Sequence, residues 1–479
     1  MTAPVADPAA PIASPAVSAA PAPSGVRPAL SERDLGAIRA AVGDVLVAGD
    51  PGFETGRLAH NRAFDRRPAV IVRPSSATEV ARAVLAARDL GLDIAVRGGG
   101  HSVAGLSTID GGMLIDLGAM RAIDIDPVRG TGTAQGGVTA GEYTAAAFRH
   151  GFVTPFGDAA TVGLGGLTLG GGVGWLSRKH GMTIDSLLAV DLVTADGELR
   201  TVTDASDPDL FWALRGGGGN FGIATGFQYR LVPMSTVTGG MLVLPLTARV
   251  LVDLVEASME APEELTQITM VMGLPPAPFV PAELVGAPAV VVMPVHSGDL
   301  EAGAAAMAPF RALATPLADM VGPMPYIGMY QLTAGAAEPG PAVVRTAMLG
   351  GLDLAAAEAI VAHHTSPEGA ATMTQVRVLG GAMSRVPADA TAFAHRQAPV
   401  LTAVMAGITG EPAAARSAAD GLLGEISASA MGAYSNFLGD EGPARVRAAY
   451  PGGTWERLVA VKRRLDPANV FHANQNIRP

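Results

Sequence analysis

No cysteine occurs anywhere in the 479 residues. That absence excludes disulfides, thiolate nucleophiles, zinc–thiolate sites and iron–sulfur clusters together; no metal site is expected. No uninterrupted apolar run reaches the roughly 20 residues that a membrane helix needs, so no membrane association is expected. Positive charge is short as well: Lys+Arg number 33 against 44 Asp+Glu, a net charge of −11. That balance speaks against sequence-independent binding of nucleic acid. Only Lys179 and Lys462 are lysines, which reads as codon bias rather than function. A phosphate-binding G-x-x-x-x-G-K-[ST] loop is missing. Gly217, Gly219 and Gly222 do satisfy G-x-G-x-x-G, but they follow a helix-like stretch, PDLFWALR, and open a strand-like one. A dinucleotide fingerprint needs the reverse order, so this is not a Rossmann loop.

What remains is rich in glycine (60) and proline (36) and is 49% hydrophobic, enough for a large core in about two or three domains. The first 30 residues are Pro/Ala/Ser-rich and lack the charged start and apolar segment of a secretory signal. They read as a disordered tail on a cytoplasmic protein.

Along the chain, AVIVRP (69–74) reads as a buried strand and SSATEVARAVLAARDLG as an amphipathic helix. Ser76 and Glu79 fit a capping box, and Gly91 a stop. LDIAV is the next strand, and it delivers RGGGHS at a strand's end, where α/β proteins hold ligands. Asp196-Gly197 marks a hairpin within residues 187–203. FGIATGFQYRLV alternates as a half-buried strand. From about Met241, apolar strands alternate with Ala-rich helices in the manner of a separate α+β unit. His363 and His364 end one such helix and are expected to face solvent. Asp204, Asp207 and Asp209 read as caps before LFWAL. Any one glycine loop could be turn chemistry. Three in one unit point to an extended phosphate-bearing cofactor cradled by backbone N–H groups.

Four stretches, AVRGGGHSVAGLSTIDGGMLIDL, GLGGLTLGGGVGWLSRKHGMTIDSLLAVDLVTADG, DPDLFWALRGGGGNFGIATGF and RLVAVKRRLDPANVFHANQNI, resemble the berberine-bridge-enzyme-like FAD-linked oxidases. The resemblance runs from about Arg67 to Ile477 and is weakest between Met241 and Thr372. It implies a fold of the vanillyl-alcohol-oxidase / para-cresol-methylhydroxylase type: a two-lobed FAD-binding domain plus an α+β substrate domain with a large antiparallel sheet. The expected limits are 31–233 for the FAD domain, 234–430 for the substrate domain and 431–479 for a segment returning to the first.

The resemblance also implies the site. FAD is joined covalently to His101, by a single link because the position of a second, cysteinyl link is Ala159. Cofactor contacts fall on Arg97, Gly98, Gly99, Gly100, Ser102 and Gly105, then on Val162, Gly163, Gly166, Gly170, Gly171, Gly172 and Gly174. Gly222, Ile223, Asn436, Asn474 and Gln475 complete the set. Tyr434, in AYSNF, is the candidate general base or substrate-orienting phenol. Asp158, Tyr326, Tyr330, Gln375 and Arg377 are candidate pocket residues; relatives often carry Glu at the place of Gln375. His395 and Arg396 are either structural or pocket-lining. Where bacterial relatives have SHTG this chain has ATVG, which puts a small Val162 at the oxygen-gating position. The implied activity is removal of hydride from a ring-bearing or polyketide-like small molecule, with O2 as acceptor, in secondary metabolism. The alternatives are a flavin-oxygenating monooxygenase and a drug-sequestering resistance protein. The oligomeric state stays open.

Overall fold

The computed structural model describes residues 30–276, 280–335 and 338–479. All but the last residue of the expected tail lies outside them.

The helix Ala77–Asp89 shows how the first sheet is built. Its apolar positions Val80, Ala83, Val84 and Ala87 recur at helical spacing, and all are buried. Ser76 caps it by accepting from Glu79 N at 3.3 Å. The return bond of the expected capping box goes elsewhere: the Glu79 carboxylate accepts from Ser75 N at 2.7 Å, one residue earlier. Gly91 adopts φ 64° and stops the helix. The flanking strands Val70–Val72 and Ile94–Arg97 do not touch; Met113–Asp116 inserts between them, parallel to both. The glycine run therefore leaves the end of an edge strand.

A second, five-stranded antiparallel sheet comes next in the chain. Gly197 takes φ 80° in the turn between Leu187–Val193 and Leu199–Val202. The strand Ile223–Arg230 is buried along most of its length, not half-buried. The alternation misleads because the strand is central: Thr131–Gln135 and Leu187–Val193 flank it. Helix Ala77–Asp89 also packs on this sheet.

Residues 236–432 carry a ten-stranded, wholly antiparallel sheet. Helices Ala248–Glu260, Leu354–Thr365 and Pro412–Ile426 cover one face around Val271, Val290, Val292, Val376 and Val404. Successive side chains alternate faces. The opposite face therefore carries rows such as Met293–Ile268–Arg377–Leu401–Met348 across five adjacent strands. This mixed fold matches the expected class. One expectation fails here: His364 is buried and its Nε2 pairs with Thr374 Oγ1 at 2.9 Å. The helix packs on the sheet through that edge, which an Ala-rich sequence with little amphipathicity does not reveal. No helix among the described residues is long and apolar enough to cross a membrane.

Candidate active site

Arg97 ends its strand and anchors the glycine run. Its guanidinium donates to Asp116 at 2.8 Å and to the carbonyls of Gly56 and Leu58. The side chain is thus committed to the protein, and only its backbone is left for a ligand. Beyond it, Gly99 and Gly163 bring two loops into backbone contact. A Cβ on Gly99 would sit 2.2 Å from Gly163 N, and one on Gly163 would sit 2.1 Å from Gly99 N. Among the described residues, nothing accepts from the backbone N–H groups of Gly99, Gly100, His101 or Ser102. Four consecutive free donors form a nest suited to an anion. The His101 ring is half-buried and lies flat against His60, centroids 3.8 Å apart. Burial first, and the neighbouring His60 second, hold its pKa down at about 4.

The second glycine stretch meets the C-terminal motif. A Cβ on Gly170 would lie 2.1 Å from Asn436 Oδ1. Asn436 Nδ2 donates to Leu167 O at 3.1 Å and to Tyr434 Oη at 3.0 Å, and Gly172 N donates to the same Oη at 3.0 Å. Tyr434 is buried, and burial pushes its phenol above the ordinary range; these donors and Arg377 pull the other way. No described group accepts from Tyr434 Oη. Gly171 packs on Met182, Gly172 on Thr183 and Gly174 on the Phe156 carbonyl, whereas Gly166 is exposed and open. Half-buried Val162 lends its carbonyl to Ala140 N at 2.8 Å.

The third loop and the C-terminus interlock. Asn220 donates to Gln475 O and accepts from Ile477 N, while Asn474 Nδ2 donates to Gly219 O. Gln475 Nε2 donates to Leu438 O at 3.0 Å. Lys462, fully buried, donates to Asn220 O, Phe471 O and Asp466. Gly222 packs on Leu192 and Val193, and the Ile223 side chain lies in the core, so neither offers a side chain to a ligand. The Oδ1 atoms of Asn474 and Asn476 are buried without a hydrogen-bond partner.

On the sheet side, Asp158 and Arg377 form a two-pronged ion pair at 2.9 and 3.2 Å. Arg377 also donates to Gln375 Oε1 at 2.9 Å and lies 5.3 Å from the Phe437 ring, which in turn packs edge-on against Tyr434. Tyr326 and Tyr330 stand with Trp175 in an apolar cluster. Tyr330 pairs with Thr144 at 3.3 Å; the Tyr326 hydroxyl has no partner, and burial raises both phenols. His395 and Arg396 are structural: Arg396 is fully buried on Asp185 and Thr391, and His395 faces the Ala448 carbonyl. Of the three capping acids, only Asp207 caps; Asp204 and Asp209 instead pair with Arg215 and Arg457.

Against known proteins, residues 68–203 match the FAD binding domain family and residues 433–478 the family described as berberine and berberine like. The chain is 31% identical to (R)-6-hydroxynicotine oxidase of Paenarthrobacter nicotinovorans, over 91% of this chain and 97% of that protein. It belongs to the berberine-bridge-enzyme-like FAD-linked oxidoreductases. The family member YgaK of Bacillus subtilis (strain 168), an uncharacterized FAD-linked oxidoreductase, is 30% identical over the same 91% of this chain and 97% of its own. A solved 6-hydroxy-D-nicotine oxidase from Arthrobacter nicotinovorans superposes with TM-score 0.81 at 29% identity, covering 91% of this chain and 98% of that one. The glucooligosaccharide oxidase of Acremonium strictum, at 23% identity, TM-score 0.82 and coverage of 93% and 99%, shares the fold.

The residues present fit an FAD. The donor nest at Gly99–Ser102 suits a pyrophosphate, and the unpartnered Asn474 and Asn476 oxygens await hydroxyl donors. His60, Trp175 and the Lys462 clamp escape sequence reading. His60 lies in a stretch without motif, and only folding sets it on His101.

Proposed function

We propose that this FAD-linked oxidoreductase is an oxidase of small ring-bearing molecules, active in the cytoplasm on a secondary metabolite, with dioxygen as acceptor. The N–H groups of Gly99–Ser102 hold the pyrophosphate, and Asn474 with Gln475 orients the sugar-alcohol chain. His101 carries the single covalent link. The glucooligosaccharide oxidase of Acremonium strictum is described with a cysteinyl, histidyl FAD, which supports a histidyl link in this fold. Without cysteine, this chain can make only the histidyl half. Bound FAD supplies the two-electron acceptor, taking hydride from substrate and passing electrons to dioxygen.

Substrate would lie between the sheet face of residues 236–432 and the glycine stretch at 170–174, with the FAD lobe formed by 31–233 and 431–479. The observation that carries the chemistry is the setting of Tyr434. Its oxygen receives Gly172 N–H and Asn436 N–H, and its own proton is given to no described group. Burial raises this phenol, and the two donors together with Arg377 offset part of that rise. In its deprotonated form, held by those donors, Tyr434 Oη takes the substrate's proton as hydride leaves. Gln375 cannot act as a carboxylate base, and Asp158 is neutralised by Arg377, so both shape the pocket instead.

The test needs no known substrate. Purified yellow protein is reduced with one equivalent of dithionite under argon and mixed with air. One hydrogen peroxide per flavin, formed with fast reoxidation, is expected. A reduced flavin that persists for minutes in air overturns the oxidase reading. Substrates are then screened by anaerobic bleaching, with 6-hydroxynicotine and oligosaccharides as first probes.

A further inference from the structure

His60 has no part in the proposed chemistry, yet it makes the closest ring stack of the described residues. Its centroid is 3.8 Å from that of His101 with the planes 24° apart. His60 N also donates to Gly100 O at 3.1 Å, which ties its backbone to the same loop. Neither ring nitrogen of His101 hydrogen-bonds another described residue. The stack is thus the contact that sets the plane of the His101 ring. We propose that His60 is the positioning residue for flavin attachment at His101, holding that imidazole flat and uncharged for bond formation. The proposal rests on the covalent link proposed for His101.

Attachment exchanges the N–H of His101 and one C–H of the flavin 8α-methyl group for an N–C bond. The two protons and two electrons released are taken up by dioxygen, which leaves as hydrogen peroxide. Only an uncharged imidazole has the lone pair this needs. Two protonated imidazoles face to face at 3.8 Å would repel, so the stack disfavours charge on both rings at once. Burial acts in the same direction on both, and the groups around His60 are Arg62, which opposes its protonation, and Glu338, which favours it. A half-buried ring with no hydrogen bond otherwise keeps rotational freedom about its side-chain bonds, and the stack removes it.

The experiment compares wild type with His60→Phe, His60→Leu and His101→Ala as purified holoproteins and as apoproteins given FAD in air. Flavin bound in the native state is read from absorbance, and attached flavin from the acid-precipitated pellet and in-gel fluorescence. Phe keeps a flat ring at the position; Leu fills the space without one. We expect His60→Phe to attach FAD within about threefold of wild type. His60→Leu should bind FAD but attach it at least about tenfold more slowly per bound FAD. Attachment by His60→Leu at the wild-type rate overturns the proposal, as does a His60→Phe protein no faster than His60→Leu. Should His60→Leu fail to fold, His60→Asn takes its place with the same expected loss. A wild-type pellet without flavin, or a His101→Ala pellet with it, refutes the covalent link itself and so separates the two readings.

Discussion

Gly99→Ala tests the loop contact on which the cofactor site rests. The added methyl would stand 2.2 Å from Gly163 N, 2.7 Å from Gly163 Cα and 2.9 Å from Thr161 O. Ordinary contact begins at 3.4 Å, so the two loops must part by 1.2 Å. Every obstructing atom is backbone, so no side chain can swing aside. Overpacking of this kind typically costs about 1–3 kcal/mol, and a rigid backbone clash belongs at the upper end, about 3 kcal/mol. Gly163→Ala meets the mirror-image clash, 2.1 Å from Gly99 N, and carries the same cost. Because both substitutions open one contact, the double variant should cost little more than either alone. The same displacement moves the donors at Gly99–Ser102 away from the facing loop, so bound FAD should fall with stability. Gly166→Ala is the control: a Cβ there meets no atom within 4 Å, and the position is helical. It should leave the apoprotein as stable as wild type or up to about 1 kcal/mol more so. Thermal unfolding of apoproteins and flavin content per chain give both readouts. Gly99→Ala with wild-type melting and a full complement of flavin would refute the reasoning, as would additive losses in the double variant.

Tyr434→Phe should slow anaerobic flavin reduction by substrate by about 10²–10⁴, or roughly 3–5 kcal/mol of barrier. It should also lower stability by about 1–3 kcal/mol, because Gly172 N–H loses its buried acceptor; reduction within a few-fold of wild type removes Tyr434 from the chemistry. Val162→Leu should slow reoxidation of dithionite-reduced protein in air while sparing substrate-driven reduction, and equal reoxidation rates would count against an oxygen route past Val162. Lys462→Met strands the buried Asp466 carboxylate, leaving it only Val470 N–H and Phe471 N–H. A loss of about 3–5 kcal/mol, seen as a lower unfolding midpoint, is expected, and an unchanged midpoint would show that those amides suffice. Attachment of FAD to apoprotein should stay near its maximum down to about pH 5. His101 titrates at about 4 and is uncharged above that, so the rate should fall only as pH drops through 4; a fall centred near 6.5 would place His101 in an ordinary environment.

Local pattern is enough to reveal several elements. Ser76, the apolar spacing from Val80 to Ala87 and Gly91 specify a helix by short-range chemistry, and the helix forms there. Asp196-Gly197 gives its hairpin for the same reason: only the turn's own dihedrals matter. The family motifs locate His101, Tyr434, Asn436 and the glycine loops, because each motif is contiguous in the chain. What contiguity does not carry is who meets whom. Gly99 faces Gly163 across 64 positions, and nothing local in either loop names the other. Arg97 reads as a cofactor contact, yet Asp116 and two carbonyls already occupy its guanidinium. His364 reads as exposed until the helix is laid on the sheet. The Asp158–Arg377 pair joins residues 219 apart, and the His60–His101 stack joins a motif to a stretch without one. Backbone propensity and capping act over a few residues and so are written in the sequence. Steric contact and burial act through space, and only the folded chain decides which side chains share it.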